Sequence, residues 1–385
     1  MKFSVSTEHL RKAVQIVERA ISARTSIPIM ENMHVCVKNK QLCLRAHDLE
    51  IGVEFSVPVD TAETAEVLVK GKTLSSIVSK LTDAMVQLSI DEKHRVSISS
   101  GTVEFDLRGV SVSEYPNFPS TESGQQIQLP IVELQSLIKH TAFAVSTDET
   151  KQFLNGVLVK ADEGILSFVA TDGYRLSYKK STVAIAQDFQ FIVPSKCINE
   201  LSKILSQLPQ LEAIEMNIAS NQVSFKAGTL LLVSRLIQGQ FPDFRQVIPS
   251  QKAVEFKLSR RPLLEALDRS LIIASEANYV VHFILSATQL GMYSQAPSMG
   301  EFKESIAINW ITGAQDMRLS FNVKLVLDAV RLLEDDDVVL GFKTPTSPTL
   351  IKPVHDDTYL YVVMPIKTEA ASAPQSAPEP VAAHG

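Results

Sequence analysis

The chain repeats one residue pattern at an interval of 124 positions. Residues 45–54 (RAHDLEIGVE) align with residues 169–178 (VATDGYRLSY), which places Asp48 over Asp172. The same offset aligns 20–22 with 144–146, Val69 with Val193 and Lys72 with Lys196. Solenoid and propeller repeats have periods of about 20 to 50 residues, so a unit of this length is long enough to be a complete domain. The sequence therefore predicts tandem copies of one domain.

A fainter third copy follows the same order of elements. Amphipathic helices are predicted early in each copy, over 8–22, 132–146 and 260–275, and again later, over 71–81, 195–206 and 322–333. In the first helix, Leu10, Ala13 and Val17 recur at helical spacing. Alternating strands fill the rest, with hairpin turns expected at 38–40 and 162–164. Two helices and about eight strands per copy predict an α+β domain with helices covering one face of an antiparallel sheet.

Prolines and a change of composition mark the ends of the copies. The stretches 115–119 (YPNFP) and 241–244 (FPDF) come late in copies one and two, where proline interrupts regular structure. Beyond 361–367 (YVVMPIK) the chain is rich in Ala, Pro and Ser, which predicts a disordered tail. We predict domains at 1–125, 126–250 and 251–367, followed by a tail at 368–385.

The composition of the 385-residue chain excludes several classes of protein. A hydrophobic content of 45% can furnish several cores, but no apolar run approaches the about 18 residues of a membrane span. The N-terminus also lacks a signal-peptide core, so a cytoplasmic protein is expected. Cys36, Cys43 and Cys197 have no C-x-x-C spacing, which predicts buried free thiols. The net charge of -6 argues against a protein that grips nucleic acid over its whole surface.

The predicted helices nevertheless carry a basic bias. Together they contain 13 Lys and Arg against 7 Asp and Glu, so the acidic excess lies in the rest of the chain. The later helices of the three copies contribute Lys72, Lys80, Lys196, Lys203, Lys324 and Arg331. Charges on one amphipathic helix are usually a solvated face. Because the bias recurs in every copy, it predicts one basic surface suited to a polyanion.

Sequence motifs for catalysis are absent. Gly71-Lys72-Thr73 resembles the end of a P-loop, but Glu66 stands where the first glycine is required. The chain has no G-x-S-x-G, H-E-x-x-H or G-x-G-x-x-G, and its eight histidines lack metal-ligand spacing. The acidic run 334–337 has no calcium-loop spacing, which favours a solvated charge run. We expect no catalytic residue, no metal and no cofactor.

Six stretches carry a family resemblance. In chain order they are 24–29 (RTSIPI), 153–158 (FLNGVL), 169–176 (VATDGYRL), 234–244 (SRLIQGQFPDF), 321–324 (FNVK) and 361–365 (YVVMP). In these stretches the chain resembles the bacterial DNA polymerase III beta subunit family, the replicative DNA sliding clamps. Tyr174 takes the place of the histidine common in the family's T-D-G-H-R-L. The resemblance implies a non-catalytic processivity factor, a ring that encircles duplex DNA and tethers the polymerase.

The resemblance further implies a head-to-tail homodimer that closes a ring of six similar domains. Its interface would join Phe105 and Leu107 of the first domain to Ile272 and Ile273 of the third. Twelve helices about 9 Å apart make a circle about 34 Å across, which admits hydrated duplex DNA. The residues that would face the DNA are Arg24, Lys72, Lys80, Lys139, Lys196, Lys203, Lys324 and Arg331.

A pocket for short linear motifs is also implied by the resemblance. Its partners would be the DNA polymerase III alpha subunit, the clamp loader, other polymerases and repair proteins. The pocket would comprise Leu154, Thr171, Gly173, Tyr174, Arg175, Leu176, Pro242, Val247, Val362, Met364 and Pro365. Taken alone, these residues suit an ordinary domain core equally well. The first copy has Leu49 and Glu50 in place of Gly173 and Tyr174, a difference that suits one specialised site.

Two other classes of function stay open from the sequence. One is a clamp-fold hub that binds peptide motifs without encircling DNA, which a poor interface in the third domain would favour. The other is an enzyme of DNA metabolism, which requires a nucleophile or a metal site that the sequence does not show.

Overall fold

A computed structural model describes residues 1–22, 25–61, 63–119, 124–183, 185, 187–314 and 316–367. It contains the helices α1 (Thr7–Val17), α2 (Gly71–Val78), α3 (Ile131–Thr141), α4 (Ser195–Ser206), α5 (Arg260–Ala274) and α6 (Val323–Leu332). Short 3-10 turns extend α1 to Ala20 and α3 to Ala144. All six predicted helices are confirmed, and none of those described is long and apolar enough to cross a membrane. The predicted tail at 368–385 lies outside the described residues.

Strands fill the remainder of each copy. The first copy has β1 (Lys2–Ser6), β2 (Asn32–Lys38), β3 (Gln41–His47), β4 (Ile51–Pro58), β5 (Ala65–Lys70), β6 (Met85–Ile90), β7 (Arg95–Ser100) and β8 (Val103–Arg108). The second has β9 (Gln125–Pro130), β10 (Gly156–Asp162), β11 (Ile165–Thr171), β12 (Arg175–Thr182), β13 (Phe189–Pro194), β14 (Ala213–Ile218), β15 (Gln222–Ala227) and β16 (Leu230–Arg235). The third has β17 (Val254–Ser259), β18 (Val280–Leu285), β19 (Gln289–Ala296), β20 (Gly300–Ala307), β21 (Asn309–Thr312), β22 (Met317–Asn322), β23 (Asp337–Phe342), β24 (Thr349–Pro353) and β25 (Tyr359–Val363). The predicted α+β class is confirmed.

Antiparallel strand pairs build four sheets, and two of these combine strands from successive copies. An eight-stranded sheet, in the order β5-β2-β3-β4-β16-β15-β14-β9, joins copies one and two where β4 pairs with β16. A nine-stranded sheet, in the order β13-β10-β11-β12-β25-β24-β23-β17-β21, joins copies two and three where β12 pairs with β25. The sheets β1-β6-β7-β8 and β20-β19-β18-β22 each belong to one copy.

The shared sheets group the chain into two compact units. Of the residues that the structure describes, unit one holds those within 1–135 and 193–238, and unit two holds those within 136–192 and 239–367. The middle copy is divided between them, because β14, β15 and β16 continue the first copy's sheet while β10, β11 and β12 join the third copy's. The predicted domain boundaries near residues 125 and 250 follow the repeat in the sequence. They stay predictions, because the two units built by the shared sheets do not begin and end at these residues.

Both predicted hairpins turn at the expected residues. Asn39 and Lys40 have φ values of 53° and 61°, and Glu163 and Gly164 have values of 52° and 79°. Positive φ at both central residues is the geometry of a type I′ turn, whose twist matches that of the flanking strands. The short hairpin fixes the register of β2 on β3 and of β10 on β11.

The two aligned aspartates make the same turn in their copies. Their carboxylate oxygens accept backbone N–H groups in the pairs Asp48–Glu50 (3.1 Å), Asp48–Ile51 (2.9 Å), Asp172–Tyr174 (2.9 Å) and Asp172–Arg175 (3.0 Å). The residue after each aspartate has a positive φ, 74° at Leu49 and 92° at Gly173. Aspartate favours such turns because its side chain bonds to the backbone two or three residues on. The strongest match in the repeat is thus a turn-forming carboxylate.

Two of the three cysteines are less buried than the sequence predicts. Cys197 is buried on α4, and burial raises the pKa of its thiol to about 12. Cys36 and Cys43 are only half-buried and are cross-strand partners on β2 and β3. The prediction of a buried thiol is wrong for these two, because alternate residues of a strand lie on its outer face.

The acidic run 334–337 makes specific contacts, so its description as a solvated charge run is wrong in part. Asp335 Oδ2 accepts the backbone N–H groups of Val354 and His355, each at 2.9 Å. Asp337 Oδ2 lies 3.0 Å from Lys257 Nζ. These carboxylates hold the backbone after β24 and a lysine of β17 next to the segment between α6 and β23.

Asp48→Ala is expected to destabilise the turn between β3 and β4 by about 2 kcal/mol, because two backbone N–H groups and Lys196 lose their partner. The Asp48 side chain is only 6% exposed, so water replaces these bonds poorly. Asp48→Asn keeps one oxygen acceptor and should lose about half as much. Hydrogen exchange of the β3–β4 segment measures this local stability. Unchanged protection in Asp48→Ala would contradict the role given to the carboxylate.

Candidate functional site

An apolar cavity of about 160 Å³ lies beside the strand pair β12–β25 in unit two. It is lined by Leu154, Thr171, Gly173, Tyr174, Arg175, Leu176, Pro242, Asp243, Phe244, Val247, Val362 and Met364. Strand pairing places Leu176 opposite Val362, and the N–H of Met364 donates to the carbonyl of Tyr174 at 2.8 Å. The walls of the cavity are therefore held at a fixed spacing by a ladder of backbone hydrogen bonds.

Ten of the eleven residues predicted for the peptide pocket line this cavity. Pro365 is half-buried and lies outside the lining. Asp243 and Phe244 line the cavity but were not predicted. Phe244 stacks on Tyr178, with ring centroids 5.8 Å apart. Proline spacing marks the stretch 241–244 as irregular structure, and irregular structure has no period from which the direction of a side chain can be predicted.

Large apolar side chains are exposed at the rim of the cavity. Tyr174 is 70% exposed, Val247 is 40% exposed and Met364 is 37% exposed, whereas Leu154 and Leu176 are buried. An exposed apolar rim around a preformed cavity is typical of a binding site rather than of a domain core. Covering this surface with an apolar side chain would stabilise a complex by about 25 cal/mol per Å².

Arg175 is a fixed cation on one wall of the cavity. Its Nε donates to Asp172 Oδ2 at 3.0 Å and its Nη1 to Asp328 Oδ2 at 2.7 Å. Nη2 donates to the carbonyl of Phe143 at 2.8 Å, and the guanidinium lies 5.3 Å from the centroid of the Phe143 ring. Burial opposes its charge, but Tyr361, Asp328 and Asp172 outweigh burial and raise the pKa of Arg175. With a side chain only 12% exposed, Arg175 has little freedom to move.

Unit one has a cleft at the equivalent strand pair, β4–β16. Its volume is about 480 Å³, and it is lined by His47, Leu49, Glu50, Asn117, Pro119, Asn221, Gln222, Val233, Arg235, Leu236 and Gln238. Amide and charged side chains predominate, so an apolar ligand would strip water from groups that it cannot satisfy. Although this cleft is larger, it suits a hydrophobic anchor less well. Leu49 and Glu50 thus line a polar cleft, whereas Gly173 and Tyr174 at the aligned positions line an apolar one.

The cations predicted to face DNA lie on exposed helix surfaces. Those that the structure describes are Lys72 on α2, Lys80 just after it, Lys139 on α3, Lys196 and Lys203 on α4, and Lys324 and Arg331 on α6. All seven side chains are exposed, while Arg24 lies outside the described residues. Within the observed helix bounds, 11 Lys and Arg stand against 6 Asp and Glu. The basic bias of the helices therefore persists in the structure.

Most of these cations already contact an anionic or aromatic group. The ion pairs are Lys139–Glu334 (3.0 Å), Lys203–Glu200 (2.7 Å), Arg331–Asp268 (2.6 Å) and Lys196–Asp48. Lys324 Nζ lies 3.4 Å from the centroid of the Tyr279 ring. In the pairs Lys139–Glu334 and Arg331–Asp268 both side chains are exposed, and such pairs contribute about 0 to 1 kcal/mol, so a phosphate can compete with them. The helices thus offer a moderate attraction for phosphate.

The residues predicted for a subunit interface are at exposed places. In unit one, β8 is an edge strand, Phe105 is 36% exposed and Leu107 is half-buried. In unit two, Ile272 near the end of α5 is 61% exposed and Ile273 is half-buried. An edge strand presents N–H and C=O groups that another strand can pair with. Each surface is therefore available for association.

A cluster of metal-ligand type occurs in the described part of unit one. Pairing of β2 with β5 brings together His34, Cys36 and Glu66, whose ligand atoms lie within 4.8 Å of one another. His34 Nε2 is 3.3 Å from Glu66 Oε2, and burial raises the pKa of the Cys36 thiol. A His–Glu pair beside a protonated thiol accounts for the cluster without an ion. Residue spacing alone does not reveal it, because the ligands come from two strands.

Comparisons with known proteins identify the family. Models of the N-terminal, central and C-terminal domains of the DNA polymerase III beta subunit match residues 1–119, 128–243 and 245–367. The beta sliding clamp of Bacillus subtilis is 32% identical over 380 residues, which cover 96% of this chain and 100% of that protein.

Solved structures agree with these matches. The DNA polymerase III beta subunit of Thermotoga maritima has a TM-score of 0.90 at 27% identity, over 96% of this chain and 100% of that one. A Pseudomonas aeruginosa sliding clamp bound to griselimycin has a TM-score of 0.90 at 26% identity, with the same coverage. The recognised family and the fold of three tandem domains are thereby confirmed. The chain therefore belongs to the DNA polymerase III beta subunit family, the beta sliding clamps that act as processivity factors in DNA replication.

Proposed function

We propose that this DNA sliding clamp closes into a ring as a head-to-tail homodimer and holds the replicative polymerase on duplex DNA. The observation that carries the proposal is the apolar cavity with its exposed rim and fixed Arg175, in a chain whose helices bear exposed cations. The cavity suits a peptide motif of a partner, and the helices suit a polyanion. A protein that binds both can keep the partner close to the DNA.

In the proposed dimer, β8 of one chain meets the third domain of the other. Main-chain hydrogen bonds at the edge of β8 would extend a sheet across the subunits. Phe105 and Leu107 would then be covered by Ile272 and Ile273 of the partner subunit. The exposure of Phe105 and Ile272 supports this assignment, because large apolar side chains at these positions gain most from burial.

The helices would line the hole of the ring. Two chains with six helices each give twelve, and at about 9 Å between neighbours they enclose a circle about 34 Å across. Such a hole admits a duplex with a layer of water. Because the lining cations also have protein partners, their attraction for phosphate stays weak and independent of base sequence. The ring would therefore hold DNA by topology and remain free to slide.

The apolar cavity would receive short linear motifs of the DNA polymerase III alpha subunit, the clamp loader and other replication and repair proteins. A motif with hydrophobic anchors would fill the cavity and cover the side chains of Tyr174, Val247 and Met364. The expected affinity is about micromolar, or about -8 kcal/mol, which lets one partner replace another. The Pseudomonas aeruginosa clamp bound to griselimycin supports the idea that clamps of this fold accept ligands.

The proposed role requires no bond-making step in this chain. Processivity arises because the polymerase stays near its template after each dissociation, which raises its effective concentration there. The clamp would therefore change how long the polymerase works, and the chemistry would belong to its partner.

The double variant Ile272→Ala, Ile273→Ala is expected to shift the protein from dimer to monomer at micromolar concentration, because the proposed interface loses two apolar anchors. Sedimentation equilibrium measures the mass. Val132→Ala, at an aliphatic residue that is 71% exposed on α3, is the matched control and should leave the dimer intact. An unchanged mass for the double variant would show that these isoleucines do not form the interface, and a monomeric wild-type protein would favour the hub that does not encircle DNA.

A ring loaded on closed circular DNA is expected to stay bound at about 1 M salt, where charge interactions are screened beyond about 3 Å. Cutting the same DNA once should release it, since the ring can then slide off an end. Gel filtration of labelled clamp before and after cutting measures both states. Tight, salt-resistant binding to a short linear duplex would contradict a topological grip.

The double variant Val247→Ala, Met364→Ala is expected to weaken the binding of a polymerase peptide at least about tenfold, because both side chains belong to the exposed rim. Fluorescence anisotropy with a labelled motif of the alpha subunit measures the affinity. Leu49→Ala is the matched control, since Leu49 is 40% exposed at the equivalent turn of unit one. Equal losses in both variants would remove the distinction between the two clefts.

A further inference from the structure

We propose that Asp328 is a positioning residue that connects the peptide pocket to the DNA-facing helix α6 through its ion pair with Arg175. This inference rests on the proposed function of both surfaces. Asp328 Oδ2 accepts a hydrogen bond from Arg175 Nη1 at 2.7 Å, and Arg175 lines the cavity. The pair therefore joins a residue of the pocket to a residue of the helix.

The place of Asp328 on α6 requires an explanation. It lies four residues after Lys324 and three before Arg331, so all three side chains share one face of the helix. A carboxylate on a surface that faces phosphates would repel them. Lys324 stacks on Tyr279 and Arg331 pairs with Asp268, whereas Asp328 turns to the pocket arginine. The negative charge of Asp328 is thus neutralised by Arg175, a residue of the pocket.

A second contact joins the same two surfaces. The hydroxyl of Tyr361 donates to the carbonyl of Leu325 on α6 at 2.8 Å, one turn before Asp328. Burial raises the pKa of Tyr361, so this hydroxyl stays protonated and remains a donor. Tyr361 precedes Val362, which lines the cavity. Helix α6 is therefore connected to the walls of the pocket twice, to β25 through Tyr361 and to β12 through the pair of Asp328 with Arg175.

Phe143 completes a closed set of contacts. Its ring stacks on that of Tyr361, with centroids 5.9 Å apart and planes 16° from parallel. The guanidinium of Arg175 lies over the same ring, and the Phe143 carbonyl accepts from its Nη2. Arg175 and Tyr361 thus both contact Phe143, and both reach α6, Arg175 through Asp328 and Tyr361 through the carbonyl of Leu325. Removing the Asp328 charge should loosen Arg175 in the pocket and leave α6 more positive, so one substitution should change two surfaces in opposite directions.

Asp328→Asn tests this connection. It is expected to weaken binding of the labelled alpha-subunit peptide about tenfold, because Arg175 loses its shortest charge-assisted hydrogen bond. Binding to a short linear duplex at low salt should become tighter, and its dependence on log salt should steepen by up to about 0.9. Asp328→Glu keeps the charge and should leave both affinities within about twofold of the wild-type values.

Two further variants separate position from charge. Asp268→Asn removes the carboxylate that pairs with Arg331, and it should tighten DNA binding without affecting the peptide. Phe143→Leu removes the ring beneath Arg175 without changing the charge, and it should weaken the peptide without affecting DNA. If Asp328→Asn does not fold, Phe143→Leu still tests whether Arg175 needs this set of contacts to bind the peptide, and Asp268→Asn still tests whether removing a helix carboxylate tightens DNA binding.

Several results would overturn the inference. Wild-type peptide affinity in Asp328→Asn or in Phe143→Leu would show that Arg175 needs no positioning from this set of contacts. An equal loss of peptide binding in Asp268→Asn would show an effect of overall charge. If the wild-type protein itself fails to bind the peptide, the proposed function of the pocket is wrong and the inference falls with it. Loss of peptide binding in Asp328→Asn and Phe143→Leu but not in Asp268→Asn, together with tighter DNA binding in Asp328→Asn, would support it, and unchanged DNA binding in Asp328→Asn would contradict the connection between the two surfaces.

Discussion

The structure depends on antiparallel strand pairing between successive copies of one domain. Without the pairs β4–β16 and β12–β25, β4 and β12 would be open sheet edges, which invite uncontrolled association. With them, each repeated aspartate turn meets the last strand of the next copy. Both clefts lie at such a meeting, so the same backbone interaction continues the sheets and creates the sites.

Local elements of the fold were predictable because they depend on nearby residues. Helical spacing placed α1 to α6, and the turn residues at Asn39 and Gly164 marked two hairpins. The sharing of sheets between copies was not predictable in this way. Alternation along a strand indicates which residues share a face, but not which distant strand is its neighbour, and Arg175 pairs with Val363 far along the chain.

In the candidate site, too, features that depend on nearby residues were predictable and contacts between distant residues were not. Residue types and spacing alone indicated only that Leu49 and Glu50 differ from Gly173 and Tyr174, and the family resemblance supplied the rest of the pocket. The ion pairs of the helix cations, such as Lys139–Glu334, and the contact of Arg175 with Asp328 join residues distant in sequence. Charge counts therefore predicted the basic bias of the helices but not which of their cations already have an anionic partner.

The two clefts show that, after duplication, the same backbone can carry side chains that give sites of different chemistry. Leu49 has a φ of 74°, a conformation that costs a non-glycine residue about 1 kcal/mol, whereas Gly173 adopts its φ of 92° freely. Leucine persists in this geometry because the Asp48 carboxylate and the β4–β16 ladder hold the turn whatever residue occupies it. Since the backbone is fixed in both copies, side chains at the turn and along the facing strand are free to differ. An apolar site and a polar cleft can therefore arise from one fold without a change in its strand pairing.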